Sequence, residues 1–405
     1  MSRPNPHHIG RHYVLAAGGT GGHLIPAFAL AEELERRGHH VALITDARGA
    51  AIPGKPEGLT AHILPAGRLE GLNPLGWLRG LRAIREGRKM ALRLFDSFEP
   101  SAVVGFGGYP ALPALLAATS AKIPSLIHEQ NAVLGRVNRF LAGRVDIIAT
   151  AAHEVDRLSP KLADKVVLVG NPVRAEVLAL RDLPFPAFTQ DGLLRVLVTG
   201  GSQGARILSE VVPDGLAMLQ PALRGRLQVT QQCRPEDIEA VRARYAGHGI
   251  PAELGTYFED MAERLADAHL FIGRAGASTI AELTAVGRPA ILVPLPIATD
   301  DHQAANTREI VAAGGARAIR QHNFTAVELA KQIQAMAQRP ETLANAAHAA
   351  WNCGYPHAAS DLADLIESFG GEPLMDVIRM SRPQAASTQE AYATGSTMNA
   401  EGDNR

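Results

Sequence analysis

Two glycine-rich loops are the parts of this sequence best suited to chemistry. The first, Gly18–Gly22, follows the strand-like run Tyr13–Ala17, and the second, Gly200–Gly204, follows Arg195–Thr199. A helical pattern comes after each loop, and after the first it covers Ala27–Arg37. A strand that enters a glycine loop and opens a helix presents backbone N–H groups and a positive helix end to an anion. We therefore expect two phosphate-binding turns, one in each half of the chain, facing each other across a cleft.

The first loop departs from two common phosphate-binding motifs. No Lys-Ser or Lys-Thr pair follows its glycines, so it is not a P-loop, and Leu24 interrupts the GxGxxG pattern. Asp46 nevertheless comes at the end of the next predicted strand, Val41–Thr45, where a dinucleotide-binding fold has its ribose-binding acid. A dinucleotide-dependent oxidoreductase and a tight turn without a ligand therefore remain as alternative interpretations.

His23 directly follows the first loop, at the predicted start of a helix. Imidazole has a pKa of about 6.5, so it can accept a proton near neutral pH. A positive helix end favours the neutral ring, which is the form a general base needs. His23 is thus a candidate base, and a capping or packing histidine is the alternative.

The second half carries further polar groups at predicted loop-to-helix entries. In the second loop, Ser202 adds a hydroxyl donor suited to a diphosphate, with Gln203 beside it. Ser278 and Thr279 can cap a later helix, and Glu282 on that helix can accept two ribose hydroxyls. Taken alone, Glu282 is equally typical of a charge on a helix surface.

A polar cluster follows the apolar run 290–296, at a carboxyl strand end where α/β ligands bind. Asp300, Asp301 and His302 resemble a metal site, but contiguous side chains cannot all converge on one ion. The amide groups of Gln303 and Asn306 suit sugar hydroxyls better, so no metal is predicted. Shorter motifs elsewhere offer weaker signals: GGYP at 107–110, HEQN at 128–131 and GNPVR at 170–174.

The segment 72–95 combines a basic stripe with an apolar strip. Basic residues recur at a spacing of three to four, beside an apolar strip that begins at Trp77. Such a helix can lie on an anionic leaflet. A domain helix with a solvated basic face is the alternative. The stripe consists of Arg79, Arg82, Arg85, Lys89 and Arg93, and the strip of Trp77, Leu78, Leu81 and Ile84.

Length and composition limit the classes of protein. The 405 residues fit two domains, and alternating β-branched and helical runs predict parallel α/β architecture. The last predicted strand is Ala318–Ile319, and the last helical run, with apolar residues at a spacing of three to four, is Ala326–Ala337. A formal net charge of −1 argues against a general nucleic-acid binder. Cys233 and Cys353 form no CxxC pair, so neither a disulfide framework nor a zinc site is predicted. No run reaches 18 apolar residues and no signal peptide opens the chain, so we expect a cytoplasmic protein that touches a membrane only at its surface.

Seven motifs together resemble the MurG family, the UDP-N-acetylglucosamine:N-acetylmuramyl-(pentapeptide)-pyrophosphoryl-undecaprenol N-acetylglucosaminyltransferases. In chain order they are GGTGGH, GGYP, HEQN, GNPVR, GGSQGA, GAST with Glu282, and DHQ with Asn306. The resemblance extends from about Tyr13 to Phe369. It implies a GT-B glycosyltransferase fold, in which two Rossmann-like α/β domains with parallel sheets face a cleft.

The resemblance also implies a division of the chain. Residues 1–175 would form an N-terminal domain for the acceptor, lipid I, and for an anionic membrane surface. Residues 176–194 would be a linker, and 195–350 a domain for the donor, UDP-N-acetylglucosamine. A helix in 351–369 would return to the N-terminal domain. The composition of 370–405, rich in Ser, Thr, Gln, Asn, Gly and Pro, predicts a disordered tail. The family offers no role for that tail, and the Asp300–Asp301 pair is also a departure from its pattern.

Matched residue by residue, the resemblance assigns roles around the cleft. His23 corresponds to the proposed general base. Donor contacts would come from Thr20, Gly21, Gly22, Asn131, Arg174, Ser202, Gln203, Phe258, Ser278, Thr279, Glu282, Gln303 and Asn306. Acceptor and membrane contacts would come from Trp77, Leu78, Arg79, Leu81, Arg82, Arg85 and Tyr109.

The resemblance implies a single inverting displacement at the inner face of the bacterial cell membrane, without a metal or cofactor. The C4 hydroxyl of the muramyl sugar would attack the donor sugar, forming lipid II. A nucleotide-sugar sensor without catalysis is the remaining alternative, because it would keep the pockets but would not need His23.

Overall fold

The computed structural model describes residues 10–65, 74–189, 191–201, 204–296 and 299–370, without the side chains of 74–77, 299 and 370. Ser202, Gln203 and the tail from 371 onward lie outside the described residues, and so does the side chain of Trp77. The remaining predicted site residues are all described.

The first half folds around a sheet of parallel strands. The strands are β1 (His12–Ala17), β2 (His40–Thr45), β3 (Thr60–Ile63), β4 (Ala102–Gly107), β5 (Ser125–Glu129), β6 (Ile147–Thr150) and β7 (Val166–Leu168). Across the sheet their order is β3-β2-β1-β4-β5-β6-β7. The direction of winding reverses between β1 and β4, which is the place where open α/β sheets bind ligands.

Helices cover both faces of this sheet. Tyr13 and Leu15 point to one apolar layer and Val14 and Ala16 to the other, because successive side chains of a strand alternate. The first layer includes α1 and the second includes α3 and α4. The helices of this half are α1 (Gly21–Arg36), α2 (Ala47–Ala50), α3 (Pro74–Phe98), α4 (Ala111–Ala121) and α5 (Arg136–Leu141). The short helix α6 (Ala175–Leu178) follows them and packs on the second half of the chain through Val177.

The start of α1 differs from the prediction, which began the helix at Ala27. Thr20 is the N-cap, and its carbonyl accepts hydrogen bonds from the N–H groups of His23 and Leu24 at 3.1 and 3.2 Å. Two glycines therefore lie within the first helical turn, although glycine has a low helix propensity. His23 therefore lies in the first turn of α1.

The second half repeats the architecture with a second parallel sheet. Its strands are β8 (Leu194–Thr199), β9 (Leu227–Gln232), β10 (Ala252–Gly255), β11 (Leu270–Gly273), β12 (Ala290–Leu292) and β13 (Ala316–Ala318). Their order is β10-β9-β8-β11-β12-β13, with its switch point between β8 and β11. The prediction of two parallel α/β domains is confirmed.

The second set of helices again packs on both faces of the sheet. The helix predicted at Ala326–Ala337 is present with those bounds, whereas the strand predicted at Ala318–Ile319 lies slightly earlier. The helices are α7 (Arg206–Ala217), α8 (Pro221–Arg224), α9 (Ile238–Gly247), α10 (Met261–Asp267), α11 (Ala277–Val286), α12 (His302–Asn306), α13 (Arg308–Ala312), α14 (Ala326–Ala337) and α15 (Pro340–Asn352). After them comes α16 (Ala358–Glu367), which lies elsewhere.

The last helix, α16, packs on the first domain. Leu362 and Ile366 are buried in the same apolar layer as α1. Arg37, just after α1, reaches Asp364 at 2.5 Å and Glu367 at 2.9 Å. The chain therefore crosses between the domains twice, once near α6 and once between α15 and α16.

Among the helices that the structure describes, none combines the length and the apolar composition needed to cross a bilayer.

The second crossing makes a specific demand on one glycine. Gly170 has φ +85°, and a Cβ atom there would lie 2.2 Å from Cβ of Tyr355. Gly38 has a similar φ of +87°, but a Cβ atom there would meet nothing within 4 Å. The two glycines therefore separate the cost of backbone strain from the cost of a steric clash.

Gly170→Ala should lower the free energy of unfolding more than Gly38→Ala. Left-handed strain alone costs about 1–2 kcal/mol, which is the expectation for Gly38→Ala. The clash with Tyr355 should add about 1–3 kcal/mol at Gly170. Urea unfolding of both variants measures the difference, and equal losses would contradict the packing of Tyr355 on Gly170.

Candidate active site

The first glycine loop and the GGYP turn are in direct contact at the switch point of the first sheet. A Cβ atom at Gly18 would lie 2.2 Å from Cδ of Pro110. One at Gly108, where φ is +77°, would lie 2.7 Å from the carbonyl oxygen of Gly18. Both positions therefore require glycine. The two loops follow β1 and β4, which pair in parallel and bring their carboxyl ends to one edge.

His23 is oriented by the loop that precedes it. Its Nδ1 lies 2.9 Å from the carbonyl oxygen of Gly18 and 3.2 Å from Oγ1 of Thr20. Since a carbonyl oxygen only accepts hydrogen bonds, Nδ1 must carry the proton in the neutral ring. Nε2 then holds the lone pair and is the atom able to take a proton. This nitrogen borders Gly107, where a Cβ atom would lie 3.2 Å from it.

The surroundings of His23 keep the ring neutral. Burial lowers its pKa below the usual value, although the hydrogen bond to Gly18 and the charge of Glu129 act in the opposite direction. His302, on the facing domain, also lowers the pKa. A base that is neutral at pH 7 with a free Nε2 can begin a proton transfer without first losing a proton.

Glu129 organises the loop that borders His23, a role that the sequence reasoning missed. Its Oε1 accepts from the backbone N–H and the side-chain amide of Asn131, at 3.1 and 3.2 Å. Its Oε2 accepts from the N–H of Gly135 at 2.8 Å and from Asn138 at 2.9 Å. The signal available in the sequence was a carboxylate at the end of an otherwise apolar strand.

His128, in the same motif, has a structural environment. Its Nε2 donates to the carbonyl oxygen of Gly170 at 2.9 Å, and its Nδ1 accepts from Gln130 at 3.0 Å. Burial lowers the pKa of His128 to about 4. The neutral ring of His128, with both nitrogens hydrogen-bonded, therefore links β5 to the segment around Gly170 that precedes the crossing to the second domain.

In the second domain, Glu282 and Arg174 form an ion pair. Nε of Arg174 lies 3.0 Å from Oε1 of Glu282, and Nη1 reaches Glu176 at 3.1 Å. Burial raises the pKa of Glu282, and the guanidinium opposes that rise. The pair uses one of the two carboxylate oxygens of Glu282. It also joins the GNPVR motif at the domain junction to helix α11.

The described glycines of the second loop stand at the carboxyl end of β8, where the N–H of Gly204 donates to the carbonyl oxygen of Gly201 at 2.9 Å. A Cβ atom at Gly200 would lie 2.3 Å from the backbone nitrogen of Ala205, and Gly201 and Gly204 have φ +77° and +67°. The N–H of Gly201 donates to Oγ1 of Thr199 at 3.1 Å. The described glycines therefore have the conformations expected of an anion-binding turn.

Helix α11 presents its first turn at the neighbouring strand end. Gly276 is the N-cap in an extended conformation, and Ser278 and Thr279 follow in the first turn. Oγ of Ser278 is buried without a hydrogen-bond partner among the described residues. Phe258 is buried, with the guanidinium of Arg264 at 4.3 Å from its ring centre.

The amides predicted to bind sugar lie in the cleft. Gln303 accepts from the N–H of Leu295 at 3.0 Å, which orients its side chain. Asn306 donates to Asn131 at 3.1 Å and accepts from the N–H of Ala132 at 2.8 Å. Asn131 and Asn306, which are both predicted to contact the sugar donor and come from different domains, are thus hydrogen-bonded to each other.

Helix α3 combines both predicted features of the basic segment. Near its C-terminal end, the α3 residues Ala91 and Phe95 are buried in the core. Near its N-terminal end, Leu78 and Leu81 are 66% and 49% exposed. Arg79, Arg82 and Arg85 are also exposed. Tyr109 lies in the adjacent GGYP turn and is partly buried.

Comparison with known proteins places the chain in a family. Residues 13–150 match the glycosyltransferase family 28 N-terminal domain, and residues 195–368 match its C-terminal domain. A Novosphingobium aromaticivorans relative is 79% identical over 386 residues, covering 95% of this chain and 99% of its own. A Caulobacter vibrioides relative is 48% identical, covering 87% and 98%. Both are called UDP-N-acetylglucosamine--N-acetylmuramyl-(pentapeptide) pyrophosphoryl-undecaprenol N-acetylglucosamine transferase.

The chain belongs to the MurG family. A crystal structure of Acinetobacter baumannii MurG superposes with a TM-score of 0.72 at 30% identity, covering 88% of this chain and 99% of that one. The GT-B fold and the assignment as a hexosyltransferase are thereby confirmed. A Neisseria meningitidis UDP-GlcNAc 2-epimerase, at 14% identity and a TM-score of 0.59, shares the fold alone.

Membership of the MurG family sets aside the oxidoreductase interpretation. Asp46, the candidate ribose acid of that interpretation, accepts from the N–H of Gly49 at 2.8 Å and so caps the short helix α2. The carboxylate of Asp46 thus has a structural role as the N-cap of α2.

Gly107→Ala should lower turnover by about tenfold to a hundredfold, because small misplacements of reacting groups are that costly. The added methyl group would stand 3.2 Å from Nε2 of His23, at a residue with φ +94°. Gly314→Ala is the matched control, since φ there is +85° and the space around it is open. Steady-state turnover and unfolding midpoints measure both variants, and equal turnover would refute the close approach of Gly107 to His23.

Proposed function

We propose that this MurG-family enzyme transfers N-acetylglucosamine from UDP-N-acetylglucosamine to lipid I, the undecaprenyl-linked muramyl pentapeptide, and so forms lipid II. The names of its relatives contain both substrates. One observation carries the chemical part: the bond from Nδ1 of His23 to Gly18, which leaves a neutral Nε2 beside the cleft.

The reaction is a single displacement with inversion. Nε2 of His23 takes the proton of the C4 hydroxyl on the muramyl sugar, and that oxygen forms a bond to the anomeric carbon of the donor. The bond from the anomeric carbon to the diphosphate breaks, and UDP leaves with the electron pair. His23 then returns its proton to solvent. The depressed pKa of His23 supports this role, because the ring is ready to accept a proton at neutral pH.

The leaving diphosphate gains charge in the transition state, so donors aimed at it accelerate the step. The backbone N–H groups of both glycine turns, the first turn of α11, Ser202 and Arg174 are our candidates, and they allow the reaction to proceed without a divalent cation. The carboxylates of Asp300 and Asp301 already pair with guanidinium groups at 2.8 and 2.6 Å. Such pairing makes them poor ligands for a metal, which supports the proposal.

The donor lies mainly on the second domain in this proposal. Glu282 accepts the ribose hydroxyls through Oε2, since Oε1 is bonded to Arg174. The backbone of Phe258 contacts uracil. The sugar meets Gln303 and Asn131. Further contacts come from Thr20, Gly21, Gly22, Gln203, Ser278, Thr279 and Asn306.

The acceptor lies on the first domain, residues 1–175, beside Tyr109 and α3. The exposed pair Leu78 and Leu81, flanked by exposed arginines, has the composition of a helix that lies in a membrane interface. Since lipid I is membrane-bound, we place the enzyme at the cytoplasmic face of the bacterial inner membrane, attached peripherally. Residues 176–194 serve as the linker and 195–350 as the donor domain.

His23→Ala should reduce turnover by about 10²–10⁴-fold, the usual contribution of general-base catalysis, and should leave UDP affinity nearly intact. UDP release from UDP-N-acetylglucosamine, dependent on a soluble lipid I analogue, measures turnover, and calorimetry measures UDP binding. For the wild type, kcat/KM should hold down to the ordinary imidazole pKa of about 6.5 and fall only at lower pH, because burial lowers the pKa of His23 and only protonated Nε2 cannot act as a base.

Two controls define this test. His348→Ala changes an exposed histidine on α15 and should leave both quantities unchanged. Excess chelator should not slow the wild-type enzyme. Equal losses of turnover and UDP affinity in His23→Ala would refute its role as base, and a wild type without lipid-dependent UDP release would favour the sensor.

Replacing Arg79, Arg82 and Arg85 by Gln should weaken binding to vesicles that contain phosphatidylglycerol by about a hundredfold, since each basic residue near an anionic surface is worth about 1 kcal/mol. Binding to phosphatidylcholine vesicles should change little. The control replaces the exposed Arg206, Arg224 and Arg242 of the second domain, with the same change in net charge. Sedimentation measures both, and equal losses would rule out α3 as the membrane face.

A further inference from the structure

Two consecutive aspartates at the cleft share an unusual backbone but have different partners. Asp300 has φ +58° and Asp301 has φ +55°, both in the left-handed region that Asn and Asp tolerate best among non-glycine residues. Asp301 reaches Arg320 of its own domain at 2.6 Å. Asp300 reaches the other domain, with Arg139 at 2.8 Å and Arg157 at 3.1 Å.

On the first domain, the contact of Asp300 falls on the helix that borders the base. Arg139 lies in α5, next to Asn138. Asn138 donates to Oε2 of Glu129 at 2.9 Å and lies beside Gly107, which in turn borders the ring of His23. The position of Arg139 is therefore linked, through its neighbour Asn138, to the residues that border His23.

On the second domain, Asp300 precedes the short helix α12 that carries Gln303 and Asn306. The same helix reaches across the cleft through Asn306, whose Oδ1 accepts from the N–H of Ala132 at 2.8 Å. A second ion pair, between Arg308 and Asp156 at 2.6 Å, lies just beyond α12. The segment 300–308 is thus held on the first domain at both ends.

We propose that Asp300 is a positioning residue for the transfer reaction, because its ion pairs with Arg139 and Arg157 hold α12 against α5 and fix the donor sugar opposite His23. This role rests on the proposed function. Interfaces between domains of one chain are commonly small and polar, so relative motion is expected unless specific contacts restrain it. A shift of about 1 Å at the reacting atoms is enough to cost a large factor in rate.

The electrostatics suit a reversible closure. The hydrogen bond from Arg139 and the charge of Arg157 hold the pKa of Asp300 below its usual value, so the carboxylate stays charged. Its side chain is 16% exposed, whereas the two arginine side chains are 35% and 48% exposed. Such a pair restrains the domains but can open to admit or release substrates.

The test compares Asp300→Asn with Asp301→Asn in the full-length enzyme. Asparagine also tolerates a left-handed backbone, so each substitution removes a charge with little added strain. Asp301→Asn is the matched control, because it deletes a neighbouring carboxylate with the same φ but a partner in its own domain. Turnover, the KM for UDP-N-acetylglucosamine and hydrogen–deuterium exchange of the 131–135 segment are measured for both.

We expect Asp300→Asn to lower kcat about fivefold to tenfold, in line with a partly exposed ion pair, and to leave the donor KM within about twofold. Exchange at Ala132 should accelerate, since its N–H bonds to Asn306 across the cleft. Asp301→Asn should match the wild type in all three measurements. Arg139→Gln should also lower kcat, and the double variant Asp300→Asn with Arg139→Gln should lose no more than Asp300→Asn alone.

Four results would overturn the role of Asp300. They are equal behaviour of the two aspartate variants, a raised donor KM in place of a lowered kcat, a lowered kcat with unchanged exchange at Ala132, and additive losses in the double variant. A wild-type enzyme that releases no UDP would instead defeat the proposed function. The two failures are therefore distinguishable.

Discussion

The hydrogen bond between Nδ1 of His23 and the carbonyl oxygen of Gly18 is the constraint on which the rest of the site depends. It fixes the proton on Nδ1, so the Nε2 atom at the cleft can accept a proton and cannot donate one. The carbonyl reaches the ring because α1 begins at Gly21 and places His23 in its first turn. That start is possible only where Gly18 can lie against Pro110, with no space for a side chain. The tautomer is therefore a consequence of backbone packing at the switch point between β1 and β4.

The two domains use the same strand-loop-helix unit for different tasks. In the first, the loop orients a histidine, and a buried carboxylate, Glu129, gathers four N–H groups around it. In the second, the described part of the loop consists of glycines, and the charge is carried by Glu282 and its partner Arg174. Burial acts on both ionisable groups by disfavouring the charged form, lowering the pKa of His23 and raising that of Glu282. Burial thus favours the neutral ring that the proposed role of His23 requires, whereas Arg174 limits the rise for Glu282 and favours its carboxylate form.

Local patterns sufficed for the parts of the fold that depend on local physics. The strand-loop-helix units and the helix Ala326–Ala337 follow from hydrophobic periodicity, and seven short motifs were enough to indicate the family. The start of α1 was mispredicted because glycine propensity argued against a helix that tertiary contacts impose. Short strands such as β10 lack a periodic signal and were missed. The partners of Asp300 were beyond sequence reasoning, since Asp300 meets Arg139 across 161 positions of the chain and only the folded arrangement of both domains brings them together.

The interface between the domains combines polar contacts with a cavity. A cavity of about 310 Å³ lies there, lined by residues of both domains, including Gln130, Asn171 and Ile280. Oε1 of Gln130 and both amide atoms of Asn171 are buried with no protein partner among the described residues. Each such group costs free energy unless water or a ligand satisfies it. Ion pairs and amide hydrogen bonds cross the interface, next to a small apolar cluster of Ala132, Val133 and Ala305. The polar contacts are directional and exchange readily with water. An enzyme that must admit a lipid-linked acceptor and release a nucleotide has reason to close through such contacts, since they align the two substrates without making the closed state permanent.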